Sequence, residues 1–349
     1  MRRLIMSLTL AAVAVPAVPA DAQVYPERIN SVVRTVVRPR VERYQRRDER
    51  ASEVERITRT MRLGSTGEIE ASNISGDIVV TRGGGNDVVI EIVKTGRGRT
   101  AEEARAMLPL VEVDVSERAG RVEIRSRYPQ RDDMRRRNWR NINVDVAFNI
   151  TAPERARVIV NTVSGDISVR DIKGDVSLET ISGDVRIANA GRVSKAKTAS
   201  GDVESVDTTF DGLIDAATIS GTLLLRNVKA RQLDLGSISG DVVLEDVTCD
   251  RVEAQSISGD VRLAGPLVRG GRYDLGSHSG EIRVSVAPGV GFEIDASSFS
   301  GSVRADVELK LVTTGSGRRG QRAIRGTYGD GSAVLDLQTF SGSIVVTRR

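Results

Sequence analysis

Apolar and polar residues alternate with period two along most of the chain, and a Ser-Gly-Asp tripeptide or a close variant interrupts the alternation at regular intervals. The serines stand at Ser164, Ser182, Ser200, Ser220, Ser239, Ser258, Ser279 and Ser300, at spacings of 18, 18, 20, 19, 19, 21 and 21 residues. Period two marks strands. Self-similarity at about 20 residues marks a solenoid, whose short units bury their apolar faces only by stacking on one another. Counting straight through each copy puts Val163, Gly165, Ile167 and Val169 on one parity. The same frame recurs in Ile181/Val185/Ile187, Ile219/Leu223/Leu225, Ile238/Val242/Leu244, Ile257/Val261/Leu263 and Phe299/Val303. This count predicts that the residue before each serine faces the core, and a glycine on the inward parity predicts a crowded bend. Ile172, Val228 and Val247, each beside turn residues, predict two or three sides per rung. The fold class is all-β: a β-solenoid of parallel β-helix type with rungs of 18 to 21 residues.

The regions outside the repeat divide by composition. Residues 1–22 carry Arg2-Arg3, an apolar run from Leu4 to Val18 and a small-x-small Ala20-Asp21-Ala22, which together read as a secretory signal. Export to the periplasm, cell surface or medium follows, and the Leu-x-x-Cys box of a lipid anchor is missing. Residues 23–62 are Arg-rich. Helical spacing at Ile29, Val32, Val33, Val36 and Val37, and more weakly at Val54, Ile57 and Met61, predicts a linker with short helices. The other reading is a basic amphipathic segment on anionic lipid. Residues 63–152 predict a β-rich cap holding an early copy at Ile74-Ser75-Gly76-Asp77, one short helix from Ala101 to Leu108, and a hairpin joining Val111–Val115 to Val122–Ile124. Residues 153–349 predict the solenoid with a C-terminal capping hairpin. Its last copy, at Ser341, lies 41 residues beyond Ser300, about two periods, so the Gly- and Arg-rich loop between them replaces part of a rung.

Composition narrows the chemistry. Aromatics make up 3% of 349 residues, so Val, Ile, Leu and Ala build the core, which suits a narrow solenoid better than an aromatic-lined barrel. A single cysteine, Cys249, excludes an internal disulfide, and a single histidine, His278, removes most zinc and triad chemistry. His278 falls in the predicted inward slot, and both residues read as fillers. Net charge is +4, and removing the leader's two arginines and one aspartate leaves +3. Near-balance together with export argues against nucleic acid as a partner.

The repeated aspartates would stack about 5 Å apart, close to the carboxylate separation of retaining glycosidases and close enough to invite calcium. Equivalent repetition argues against a catalytic pair, which needs two unlike environments. Thr222, Ser302 and Ser343 stand where other copies have aspartate, and calcium-binding nonapeptide spacing is absent. The favoured reading is therefore turn capping by Ser and Asp, with no catalytic residue, metal or cofactor site. The candidate ligand contacts break the repeat. One set is Arg131, Arg135, Arg136, Arg137 and Arg140 around Trp139; the other is the loop with Arg318, Arg319, Arg322 and Arg325. Cations beside an aromatic suit an anionic envelope polymer, glycan or membrane surface, against the plainer reading of solvated loops.

Asn73-Ile74-Ser75-Gly76-Asp77, the strand ending at Pro153, the Val163-Ser164-Gly165-Asp166 repeats and the closing Thr339-Phe340-Ser341-Gly342 resemble the "putative adhesin" family of bacterial cell-envelope proteins, a domain of unknown function. The resemblance spans residues 63 to 349 and implies an envelope β-solenoid without catalytic residues to carry over. The expected function is a non-enzymatic exported scaffold or adhesin-like binding surface. Two alternatives stand beside it: a carbohydrate-active β-helix enzyme, and an envelope-stress sensor that binds cationic peptides through the aspartates.

Overall fold

A computed structural model describes residues 51–129, 142–311 and 322–349. Among them, each repeat lays one strand into a fourteen-stranded sheet and a second, shorter strand into a thirteen-stranded sheet, and the apolar core lies between the two. Arg157–Ser164 with Ile167–Arg170 forms one such layer, and Asp175–Ser182 with Val185–Ala188 forms the next. The layers pair parallel and in register, Val176 beside Val158, Leu178 beside Val160 and Val185 beside Ile167. The spacing of such strands is about 4.8 Å. Each rung has two sides. The second corner is too tight to become a third, because one residue with left-handed backbone makes it: Asp171, Asn189, Asp207, Asn227 or Asp246, with φ between 51° and 60°. Asn and Asp tolerate that conformation, and the next residue (Ile172, Ala190, Thr208, Val228 or Val247) plugs the corner from inside.

The Ser-Gly bend is where counting straight through fails. Val158, Val160 and Thr162 point inward before the bend and Ile167 and Val169 after it, an odd step of five residues that reverses the parity. The residue before each serine therefore faces solvent: Val163, Ile181, Ile219, Ile238 and Ile257 are 42–58% exposed. Its inward neighbour is instead a hydroxyl. Thr198 Oγ1 donates to the Gly183 carbonyl at 3.0 Å, Thr218 Oγ1 to Gly201 at 3.0 Å, Ser256 Oγ to Gly240 at 3.0 Å and Ser277 Oγ to Gly259 at 2.9 Å. Each glycine carbonyl is thus satisfied by the following rung, and burying a hydroxyl costs little once it is paired. The glycines themselves stack. A Cβ on Gly183 would sit 2.2 Å from the Gly165 carbonyl oxygen, and φ at Gly183 is 140°.

Both ends depart from the simple stack. The early copy, Glu68–Ser75 with Ile78–Arg82, packs directly against Arg157–Ser164 and Ile167–Arg170 as a regular layer. Arg121–Arg127 and Val144–Ala152 add one more parallel layer. Antiparallel strands then finish the edges: Glu112–Arg118 on one sheet, Asp87–Gly98 and Ala51–Arg62 on the other. Residues 51–62, read from sequence as the end of a helical linker, are therefore a strand, paired along their whole length with Asp87–Gly98. Weak helical spacing yields to an unpaired sheet edge that offers a full ladder of hydrogen bonds. The helix forms at Ala101–Met107, capped by Thr100 Oγ1 accepting from the Glu103 amide at 3.1 Å.

At the other end the closing copy is not displaced beyond Ser300. Ala333–Thr339 and Ile344–Arg348 insert between the Arg272–Ser277/Ile282–Val286 layer and the Phe292–Ser298/Val303–Ala305 layer. Arg322–Tyr328 then closes the fourteen-stranded sheet antiparallel to Phe292–Ser298, with Lys310–Leu311 beyond it.

Gly183→Ala should cost at least about 2 kcal/mol in urea unfolding, from left-handed strain plus the carbonyl clash. Ile238→Thr, on the exposed face, should stay within about 0.5 kcal/mol. Equal losses would refute the bend geometry.

Candidate binding face

The motif aspartates work as clips between rungs. Asp77 Oδ1 accepts from the Asp166 amide at 2.9 Å, Asp166 Oδ1 from Asp184 at 3.0 Å and Asp184 Oδ1 from Asp202 at 2.9 Å. Asp202, Asp241 and Asp260 do the same for Thr222, Asp260 and Glu281. The hydrogen-bonding role expected from sequence is present, but its partner is the next rung rather than the residue's own turn. Thr222 receives the clip from Asp202 but passes none on, so the ladder breaks at that rung and resumes where Asp241 holds Asp260. Arginines relieve the stacked charge: Arg186 reaches Asp166 at 2.8 Å and Asp184 at 2.5 Å, and Arg262 reaches Asp260 at 2.7 Å and Asp241 at 3.5 Å. Partial burial pushes the Asp166 carboxyl up, but the Asp184 amide and the Arg186 guanidinium outweigh it and hold the group below the ordinary carboxylate range. Among the described residues, no group of three or more His, Cys, Asp or Glu side chains is arranged to hold a metal.

The bend also builds a row that the sequence count had placed inside. One residue per layer projects to solvent in stacking order: Ile74, Val163, Ile181, Ala199, Ile219, Ile238, Ile257, His278, Phe340 and Phe299. His278 is exposed, not inward, and its ring stacks on Phe340 at 4.9 Å between centroids; Phe340 in turn stacks on Phe299 at 4.8 Å. Those two contacts exist because the closing copy is threaded between the Ser279 and Ser300 copies. The row is a largely apolar stripe about 43 Å long at the spacing of parallel strands, interrupted by the small, half-buried Ala199 and the imidazole of His278.

The other candidate residues divide. Arg131, Arg135, Arg136, Arg137, Trp139, Arg140, Arg318 and Arg319 lie outside the described residues. Arg322 is exposed on the closing strand, and Arg325 binds Asp295, Nη2 to Oδ2 at 3.0 Å. Cys249 is buried, its thiol donates to the Arg251 carbonyl at 3.0 Å, and burial pushes it up to about 11, as suits an inert filler.

Residues 194–347 match the family described as Toastrack DUF4097. The matched stretch is the C-terminal part of the solenoid and makes up 154 of the 349 residues. The chain is also similar to a "putative adhesin" from Bacteroides fragilis, at 14% identity and a TM-score of 0.40 over 84% of this chain and 97% of that one. A "putative adhesin" and a "putative lipid binding protein", both from Parabacteroides distasonis, show 9% and 11% identity with TM-scores of 0.45 and 0.41. They cover 84% and 83% of this chain and 97% and 96% of their own. No curated protein matches.

Two outcomes check the ladder. Asp184→Ala orphans the Asp202 amide and should lower stability by about 1 kcal/mol, whereas chelator should leave Tm unchanged; a chelator-induced drop restored by calcium would overturn the clip. A depressed carboxyl stabilises above its unfolded pKa, and that contribution is lost as pH falls through the folded value. The Tm gap between the wild type and Asp166→Asn should therefore be present at neutral pH and close below about pH 4.

Proposed function

We propose that the chain is an exported, non-enzymatic binding scaffold of the cell envelope, with the Toastrack solenoid presenting a long contact surface. The observation that carries this reading is the outward stripe. Folding is served by the inward aliphatics and the hydroxyl ladder, yet rung after rung also turns a bulky apolar side chain to water, and contiguous apolar surface on that scale marks an interaction site. The aspartates, the first place to seek hydrolytic chemistry, hold the next rung's amides at equivalent sites instead of forming an unlike acid and base pair. The leader sequence supports export.

The arginine-rich breaks in the repeat provide a second contact on sequence grounds. Arg135, Arg136, Arg137, Trp139 and Arg140, with Arg318, Arg319 and Arg322, suit an anionic envelope polymer, glycan or membrane surface, while Arg325 is already committed to Asp295.

The test is fractionation of cells expressing the full chain, followed by binding and turnover assays on envelope polysaccharides. Export with binding and no product release is expected, and any polymer binding through the arginines should weaken as salt rises through the physiological range. Polysaccharide cleavage that disappears in Asp184→Asn would overturn the scaffold reading.

A further inference from the structure

On the C-terminal half of the fourteen-stranded sheet, three in-register rows run side by side on the outer face. The first is the stripe of Ile219, Ile238, Ile257, His278, Phe340 and Phe299. Two residues earlier on each strand comes a row of small or neutral side chains, Ala217, Gly236, Gln255, Gly276, Gln338 and Ser297. Space is open for 4 Å where a Gly236 side chain would stand, so this row is a shallow trough at its small residues, while the exposed Gln255 and Gln338 lean toward the next row and donate to Glu253 and Asp336. Two residues earlier again comes an unbroken acidic row, Asp215, Asp234, Glu253, Asp274, Asp336 and Asp295, each directly beside the next. Lys197 pairs with Asp215 and Arg325 with Asp295 at the two ends. The four carboxylates between them have no ion pair among the described residues. Partial burial first, and the charge of Asp336 second, push the Asp274 carboxyl above its ordinary value against the smaller opposing pull of Arg272 and Arg251.

These rows constrain what covers the stripe. A second copy laid face to face would set the acidic row on its own counterpart, opposing like charges, or on the Ser-Gly-Asp side, where Arg262 and Arg283 are already committed to Asp241, Asp260 and Glu281 and offer it no free cation. An anionic bilayer is repelled for the same reason. What fits is an apolar ridge bordered by cations. Six layers at about 4.8 Å span about 24 Å, the length of a helix of about 16 residues, whose turns repeat at 5.4 Å, near the rung spacing. We infer that the stripe of Ile219, Ile238, Ile257, His278, Phe340 and Phe299, with its trough and acidic row, is the docking groove for a basic amphipathic polypeptide helix. The inference deepens the binding-scaffold reading and rests on it. It differs from the sequence-level notion of a cationic-peptide sensor in using the sheet face, since the motif aspartates are occupied as clips.

The test measures binding of labelled helical peptides of about 16 residues to the full chain by fluorescence anisotropy. The probes are a Leu/Lys amphipathic peptide, its scrambled counterpart and a Leu/Glu analogue. The Leu/Lys peptide should bind, and added salt should weaken it. The triple variant Ile219→Thr/Ile238→Thr/Ile257→Thr should reduce affinity about tenfold or more, as should Asp234→Asn/Glu253→Gln/Asp274→Asn/Asp336→Asn. Thr keeps the β-branch at exposed positions, and retained circular dichroism and Tm show that each variant is folded. Equal binding of the scrambled or Leu/Glu peptide, no binding, or unchanged affinity in either variant overturns the inference. So does a dimer, or adhesion to anionic vesicles, that the threonine variant abolishes. A chain that binds an envelope polymer while ignoring the Leu/Lys peptide defeats only this inference, because the scaffold reading fails separately, by polysaccharide cleavage.

Discussion

The stack of motif glycines at the bend is the constraint on which the rest of the molecule depends. Each glycine backbone packs so closely on its predecessor that a Cβ on Gly183, Gly201 or Gly221 would lie 2.0–2.2 Å from the carbonyl oxygen of the glycine one rung earlier. That approach aligns the Ser and Asp positions of successive copies, so one side-chain oxygen can clip the following amide and one hydroxyl can reach back to the preceding carbonyl. Relaxing the glycine contact would loosen both bonds together, because neither side chain has length to spare.

The same bend distributes polarity against simple expectation. A hydroxyl is buried and an isoleucine is exposed on neighbouring residues, Thr218 and Ile219 or Ser256 and Ile257. The buried hydroxyl is inexpensive where its acceptor is fixed, as at Thr198, Thr218, Ser256 and Ser277, although Thr162 Oγ1 and Ser237 Oγ in the same row have no partner. The exposed isoleucines gain something from stacking on each other as β-branched neighbours, about 0.2–1 kcal/mol per pair. Threonine would serve the strand almost as well, so stability alone gives little reason for so much apolar area to face water.

Threading of the chain end gives the stripe its aromatic terminus. Residues 333–348 occupy the layer between those built from 272–286 and 292–305, so the last rung rests on a strand pair supplied by the very end of the chain. His278, Phe340 and Phe299 are far apart in sequence and consecutive in space for this reason alone. Antiparallel strands cover three of the four sheet edges, and the fourth is the short parallel strand Val303–Ala305.

From the sequence by itself came the period, the strand content, the helix near Ala101 and the hairpin after Val111. Spacing and glycine placement are local properties that stacking must respect. The structural role of the aspartates was legible too, since repetition at equivalent positions cannot sustain a division of labour. Three things were decided only in three dimensions. The facing of Ile238 and its equivalents depended on how many residues the bend consumes, and a two-residue period cannot be carried through a corner whose length is unknown. The strand at Ala51–Arg62 depended on an open sheet edge that its own residues do not announce. The acidic row of Asp215, Asp234, Glu253, Asp274, Asp336 and Asp295 depended on strand order, because the register that sets residue 336 between 274 and 295 is a property of the threaded fold and of no single repeat.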